Sequence, residues 1–339
     1  MTPDPVAAAS APATKAPPPP EGFEATVRKA RALEENIRTV IVGKQEAVRM
    51  ALIPLLCRGH LLIEDVPGVG KTTLAKALAR SLGGEFKRVQ FTPDLLPLDI
   101  TGTSMFNQKV QDFEFRQGPV FTNVLLADEI NRATPRTQSA LLECMEEFQV
   151  SVDGRTHKLS DIFLVIATLN PVEQTGTFPL PETQLDRFLM RLRIGYPTEA
   201  EEVQIFDRQA LTNPLDALKP ASTADDIREM RAGVQKVFVH ASIKEYCARL
   251  TRATRVHPDV VLGASPRGTL SLIRASQAHA LLAGQSFVTP DHVKKVAGGV
   301  FGHRIILKPQ AALRGVTDEA VLRDVLAKVD VPVGVDPHV

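Results

Sequence analysis

Asp65-Val66-Pro67-Gly68-Val69-Gly70-Lys71-Thr72 carries the most specific chemistry in this chain. A loop that holds phosphates must turn successive backbone N–H groups inward, and glycines permit that backbone. A helix that follows adds unpaired N–H groups and a positive end. Lys71 would then reach the β- and γ-phosphates and the Thr72 hydroxyl would ligate Mg²⁺, with Thr73 closing the cradle. Asp65 stands where the usual pattern has its first glycine. The competing description is an ordinary glycine-containing turn between a strand and a helix.

Further along, the apolar run Val124-Leu125-Leu126-Ala127 delivers two adjacent carboxylates, Asp128 and Glu129. Strand tips are where open α/β sheets carry their ligands. Asp128 would hold the metal's shell, and Glu129 would polarise the water that attacks the terminal phosphate. A solvated acidic turn is the plain alternative, and the Lys71–Thr72 turn upstream weighs against it. Asn170 ends the buried run Ile162 to Thr168, so its amide reaches the same edge, where it would orient that water. Asn170–Pro171 is also a good turn dipeptide.

Two arginines stay open on spacing alone. Arg187, in Leu185-Asp186-Arg187-Phe188, reads as a charge offered to a neighbouring subunit's γ-phosphate, or as half of an Asp186–Arg187 surface pair. Arg267, after Pro266, reads as a group that meets the nucleotide when a helical domain closes, or as an ordinary helix-surface arginine.

These residues need a frame to hold them. Leu61 to Ile63 predicts a strand before the glycine turn, and Leu74, Ala75, Leu78 and Leu82 predict a helix behind it. Val89 to Phe91, Val124 to Ala127, Ile162 to Thr168 and Leu192 to Ile194 predict further strands. The third of these lacks polar alternation, as a strand covered on both faces should. Phe23, Val27, Ala30, Leu33, Ile37 and Val40 mark one amphipathic helix, and Gln45 to Cys57 a second. Thr134–Pro135 predicts an N-cap with proline at the first helical position. Strands alternating with helices imply a doubly wound α/β core over residues 21–196.

Residues 98–120 interrupt that rhythm as a hairpin or loop, and residues 149–160 as a hairpin around Asp153–Gly154. After Tyr196–Pro197 the strands stop. Thr198 with Glu201, Thr223 with Asp226, and Ser242 with Glu245 predict capped helix starts. Ser265–Pro266 and Thr289–Pro290 predict two more. A small all-helical domain is therefore expected over residues 197–309, followed by a C-terminal segment over 310–339. The first twenty residues hold thirteen Pro or Ala and predict a disordered tail, 1–20.

Composition narrows the function classes. With 339 residues, 44% of them hydrophobic, the chain can bury a large core. Forty Lys plus Arg against 39 Asp plus Glu leave a net charge of +1, so bulk charge argues for neither nucleic acid nor a membrane surface. No run approaches the ~18 apolar residues that cross a bilayer, which predicts a soluble protein with no membrane insertion. Three scattered cysteines fit a reducing, cytoplasmic compartment, and the eight histidines show no metal-binding spacing. Residues 221–300 hold eleven Lys or Arg against six Asp or Glu. Without interleaved aromatics, that excess is weak support for nucleic acid.

Together these residues resemble the MoxR family of AAA+ ATPases over roughly residues 35–330. The resemblance is carried by Leu62 to Thr72, by Asp128-Glu129-Ile130-Asn131-Arg132-Ala133, by Thr137 to Glu143 and by Leu185 to Phe188. Asp65 in the glycine loop is familiar among MoxR-like proteins, and Leu169 stands where many members have a polar residue. The resemblance implies an AAA+ P-loop core with a parallel five-stranded sheet in the order 5-1-4-3-2, plus a helical lid. It implies ATP and Mg²⁺ as cofactors and a homo-oligomeric ring, usually a hexamer. Asn170 takes the place of sensor 1, Arg187 of the arginine finger and Arg267 of sensor 2. Val42 and Gly43 fall near the adenine. Arg132 acts across the subunit interface or caps a helix.

Members of the family look like chaperone-style motors that remodel or mature a protein client, often beside proteins with a von Willebrand factor A domain. A nucleotide-sensing scaffold that recruits such a partner is the second expectation, and a nucleic-acid motor the third.

Overall fold

The computed structural model describes residues 17–109, 111–171, 176–211 and 213–332. Most of the expected Pro/Ala tail lies outside them. Two helices, α1 (Phe23–Arg38) and α2 (Gln45–Leu56), precede strand β1 (Leu61–Glu64). After the glycine turn come α3 (Lys71–Ser81), β2 (Phe86–Gln90) and α4 (Pro97–Thr101). The first interruption is a hairpin of β3 (Gly102–Asn107) and β4 (Asp112–Gln117). Strand β5 (Val124–Asp128) and helix α5 (Pro135–Glu147) follow, then a second hairpin, β6 (Gln149–Val152) with β7 (Arg155–Lys158). Strand β8 (Leu164–Leu169), the short α6 (Glu182–Leu185) and β9 (Met190–Leu192) complete the α/β layer.

Five strands form one wholly parallel sheet in the order β2-β5-β8-β1-β9. Counted as core strands one to five in chain order, that is 5-1-4-3-2, the expected arrangement. Parallel pairing brings every C-terminal strand end to one edge, and the glycine turn leaves the sheet there. Side chains alternate between the faces. Leu61, Ile63, Val124, Leu126, Leu164 and Ile166 enter a core shared with α1, α2 and α3. Leu62, Leu125, Ala127, Val165 and Ala167 enter a second core with Leu141, Leu142 and Met145 of α5. Burial on both faces explains the unbroken apolar runs. Each such Leu, Ile or Val contributes about 1.5–3 kcal/mol.

Strand ends differ from expectation for identifiable reasons. The second core strand is Phe86–Gln90 rather than Val89–Phe91. It lies at the edge of the sheet, where Lys87 and Arg88 pair with β5 while their side chains meet solvent. The last strand is Met190–Leu192 rather than Leu192–Ile194, because the Ile194 and Gly195 amides leave the ladder for the Asp65 carboxylate.

The remaining elements are α7 (Glu199–Leu211), α8 (Pro214–Ala217), α9 (Ala224–Lys236), α10 (Ala241–Val256), β10 (Val260–Leu262), α11 (Pro266–Leu282), α12 (Pro290–Phe301), β11 (Ile306–Leu307), α13 (Pro309–Leu313) and α14 (Asp318–Lys328). This helical lid carries one short antiparallel pair, β10 with β11. Thr223 and Asp226 close a reciprocal capping box, and the Ser265 hydroxyl accepts the Gly268 N–H. The third expected cap is corrected: α10 begins at Ala241, and the His240 ring, not Ser242, accepts the first free N–H. Helix α14 buries Val321, Leu322 and Val325 in the common core, while Asp318 and Glu319 pair with Arg191 and Arg193 beside β9. Among the described residues, no helix is long and apolar enough to cross a membrane.

Candidate functional site

Gly68 and Gly70 adopt φ of +86° and +90°, a region that favours glycine, and the space where a Cβ would point is open at both. Helix α3 starts at Lys71, so its first N–H groups face the loop. Lys71 Nζ donates to the Asp65 carbonyl at 2.6 Å. Burial lowers the Lys71 pKa, and the charges of Asp128, Asp65 and Glu129 work against that fall. Those three carboxylates therefore act on the ammonium through their charge.

Asp65 itself faces inward. Its Oδ1 accepts the Val66 N–H at 2.9 Å, and its Oδ2 accepts those of Ile194 and Gly195 at 2.6 and 2.7 Å. The carboxylate ties the glycine loop to the segment after β9, so only the backbone of Asp65 is left to face a phosphate.

Asp128 and Glu129 share an anchor that spacing did not reveal. The fully buried Thr168 hydroxyl donates to Asp128 Oδ1 at 2.6 Å and accepts the Glu129 N–H at 2.8 Å. Glu129 sits in the left-handed region at φ +56°, where a non-glycine residue is uncommon. Its Oε2 accepts from Gln90 Nε2 at 2.7 Å and from Arg132 at 2.9 Å. Asp128 Oδ2 accepts from the Arg88 guanidinium at 2.6 Å. Thr168, Gln90 and Arg88 are thus parts of the site that sequence reasoning missed. Each lies on a strand next to its partner but about 40 residues away in sequence, where no local pattern links them. Asn170 follows β8 on the same edge and is buried.

A metal fits this donor set modestly. Mg²⁺ is commonly held by one or two carboxylates, waters and substrate phosphates. Thr72 and Asp128 would supply the protein's share, and the guanidinium on Asp128 shows that this carboxylate takes a cation. No cluster of three or more His, Cys, Asp or Glu ligands exists among the described residues.

Beside the glycine turn, a cleft of about 190 Å³ is lined by Val42, Val48, Gly68, Thr73, Ile194 and Pro197 among others. Val42 therefore lies in an apolar recess next to the loop. Gly43 turns at φ +73°, a region that favours glycine, with the Glu201 side chain packed against it.

Arg187 and Arg267 are brought to each other rather than to Lys71. They lie 3.2 and 3.1 Å from the two oxygens of Glu146. Glu146 is in the last turn of α5, one residue past Met145, whose carbonyl accepts from His60 just before β1. Arg187 itself precedes Met190, which pairs with Leu61 at the start of β1. Both arginines therefore occupy the edge where strands begin, opposite the glycine loop.

Residues 60–190 match the ATPase family associated with various cellular activities (AAA), and residues 252–325 match the AAA lid domain. Over 326 residues the chain is 42% identical to Chaperone MoxR1 of Mycobacterium tuberculosis, covering 93% of this chain and 86% of that one. This chain belongs to the MoxR family of AAA+ ATPases. The Bacillus subtilis protein YeaC is 50% identical over 299 residues, 88% of this chain and 93% of its own. A solved structure of a candidate ATPase from Cytophaga hutchinsonii superposes with a TM-score of 0.86 at 37% identity, covering 92% of this chain and 97% of that one. The MoxR family assignment makes this chain an ATPase with a nucleotide-binding core, in a class whose members usually assemble into oligomers.

Proposed function

We propose that the protein binds ATP with Mg²⁺ on residues 65–73, hydrolyses it within a ring of six copies, and spends the cycle on remodelling a cytoplasmic protein client. The observation that carries this reading is the meeting of Lys71, Asp128 and Glu129 at one sheet edge, with Thr168 fixing both acids. Backbone N–H groups of the loop and of α3 would hold the β- and γ-phosphates, and Lys71 would leave the Asp65 carbonyl to join them. Glu129 would accept a proton from a water as the water's oxygen attacks the γ-phosphorus and the bond to the β–γ bridging oxygen breaks, with that oxygen leaving on ADP. Asn170 would hold that water in line. Arg187 would offset charge on the γ-phosphate of a neighbouring copy, with Arg267 beside it. Mg²⁺, held by Thr72, Asp128 and the phosphates, would neutralise charge that builds on the phosphate oxygens.

Client remodelling is supported by the name of the relative MoxR1, a chaperone. A protein with a von Willebrand factor A domain is the partner the family resemblance supplies. Two substitutions test the chemistry. Lys71→Ala should abolish nucleotide binding at the glycine loop, and Glu129→Gln should bind ATP there while hydrolysing it about 10²–10⁴ times more slowly. Wild-type turnover in Glu129→Gln removes that residue from its role.

A further inference from the structure

A second cleft, of about 650 Å³, opens where strands begin, between the core and the lid. Leu56, Cys57 and Arg58 border it just before β1, and Asp161 just before β8. From the lid, Arg228 and Arg231 of α9 and Arg274 of α11 face the same space. The glycine loop leaves the opposite edge of the sheet, so this cleft is separate from the nucleotide site.

Its charge is unbalanced. Four guanidiniums meet one carboxylate. Asp161 is taken by Arg228, which also pairs with Asp225 and holds the Asp161 carboxyl below its usual range. Arg231 spends its donors on carbonyls, from Nε to Leu55 at 2.9 Å and from one terminal nitrogen to Asp161 at 2.7 Å. Burial, with the like charges of Arg58 and Arg228 adding to it, pushes Arg231 down to about 10. Arg58 holds its guanidinium carbon over the Phe148 ring, 4.4 Å from the centroid, and among the described residues its side chain has no hydrogen bond or ion pair. Among the described residues, Arg274 has no hydrogen bond or ion pair through its guanidinium.

We infer that this cleft binds a condensed phosphate chain, with Arg58 and Arg274 as its two open clamps and Arg231 as its floor. Guanidinium forks suit phosphate oxygens, which accept two parallel N–H bonds from one arginine. The volume exceeds what a single phosphate fills. An acidic peptide of the same volume carries fewer negative charges, so it answers this concentration of guanidinium less well. The cleft binds rather than reacts. Burial raises the nearby Cys57 thiol to about 12, leaving it protonated and a poor nucleophile. A ligand held by Arg58 from the core and Arg274 from the lid would fasten the two parts together.

Titration calorimetry on the full chain carrying Lys71→Ala, at physiological salt, tests this with three probes: inorganic triphosphate, ATP and orthophosphate. Triphosphate should bind at one site per chain and orthophosphate at least about tenfold more weakly. Arg58→Gln/Arg274→Gln in that background should weaken triphosphate at least about tenfold while lowering the ligand-free melting point only by the few degrees that loss of the exposed Arg58–Phe148 contact allows. ATP binding that matches triphosphate assigns the cleft to the phosphate chain alone, and tighter ATP binding assigns it to a nucleotide's phosphate tail. Persistence of the glycine-loop site despite Lys71→Ala shows as a second site that the arginine substitutions leave intact. Absence of triphosphate binding, parity with orthophosphate, or unchanged affinity in the arginine variant overturns the inference.

Discussion

Arg187 Nε lies 3.2 Å from Glu146 Oε2, at the sheet edge opposite the one that carries Lys71. From that edge, an arginine meets a phosphate on another copy of the chain far more readily than its own. Head-to-tail contacts that close into a ring would present it that way. Lys71→Ala and Arg187→Ala should each be inactive alone. Mixed, they should recover about a quarter of wild-type turnover, the share of interfaces that pair an intact loop with an intact arginine in a random ring. Phosphate release from the mixture checks this, and an inactive mixture removes Arg187 from catalysis in trans.

Asp65 should matter to stability before it matters to chemistry. Its buried carboxylate satisfies three backbone N–H groups. Asp65→Ala strands those donors and should cost on the order of 3 kcal/mol. Asp65→Asn keeps one acceptor oxygen and should cost less. Urea unfolding measures both. Loss of nucleotide affinity should accompany loss of stability, because the same bonds tether the glycine loop to the chain after β9. Full stability in Asp65→Ala would contradict this role.

How much of this was legible in the sequence depends on the range of each interaction. The glycine turn, its helix and the acidic strand tip are local patterns, and all three stand where they were expected. The five-strand order came from family resemblance; spacing alone reached only a doubly wound layer. Thr168, Gln90 and Arg88 stayed hidden because strand adjacency, not sequence separation, brings them to Asp128 and Glu129. Ser242 misled for a different reason: the ring nitrogen of His240 serves as a cap as well as a hydroxyl does. The shared carboxylate of Glu146 joins a helix end, a loop and a lid helix, and no periodicity reports such a meeting.

Acid should destabilise the fold before its carboxylates protonate. His60 is buried between Phe148 and Phe163, with Nε2 donating to the Met145 carbonyl and Nδ1 accepting the Val165 N–H. Burial pushes His60, His279 and His292 down to about 4 from 6.5. Between those values the unfolded chain binds more protons than the folded one, so stability falls as pH drops from 6.5 toward 4. Each group contributes on the order of 3 kcal/mol across the whole window. Urea midpoints at pH 7.5, 5.5 and 4.5 should decline in that order, and His60→Asn should be less stable at pH 7.5 yet show a shallower decline. A flat midpoint over this range would refute the account.

Thr168 offers the sharpest test of how the two acids are held. Its hydroxyl gives a hydrogen bond to Asp128 and takes one from the Glu129 amide, while Glu129 sits at an uncommon backbone angle. Thr168→Val keeps the shape and removes both bonds. The Glu129 backbone should then relax, and a misplacement of about 1 Å at the base should lower kcat by about 10²-fold with little change in KM. Unfolding free energy should fall by only about 1–2 kcal/mol. Thr168→Ser restores the oxygen and should return most of the turnover, which separates anchoring from mere packing. Wild-type turnover in the Val variant with a loss confined to the Ser variant would mean that the methyl group, not the hydroxyl, is what the site requires.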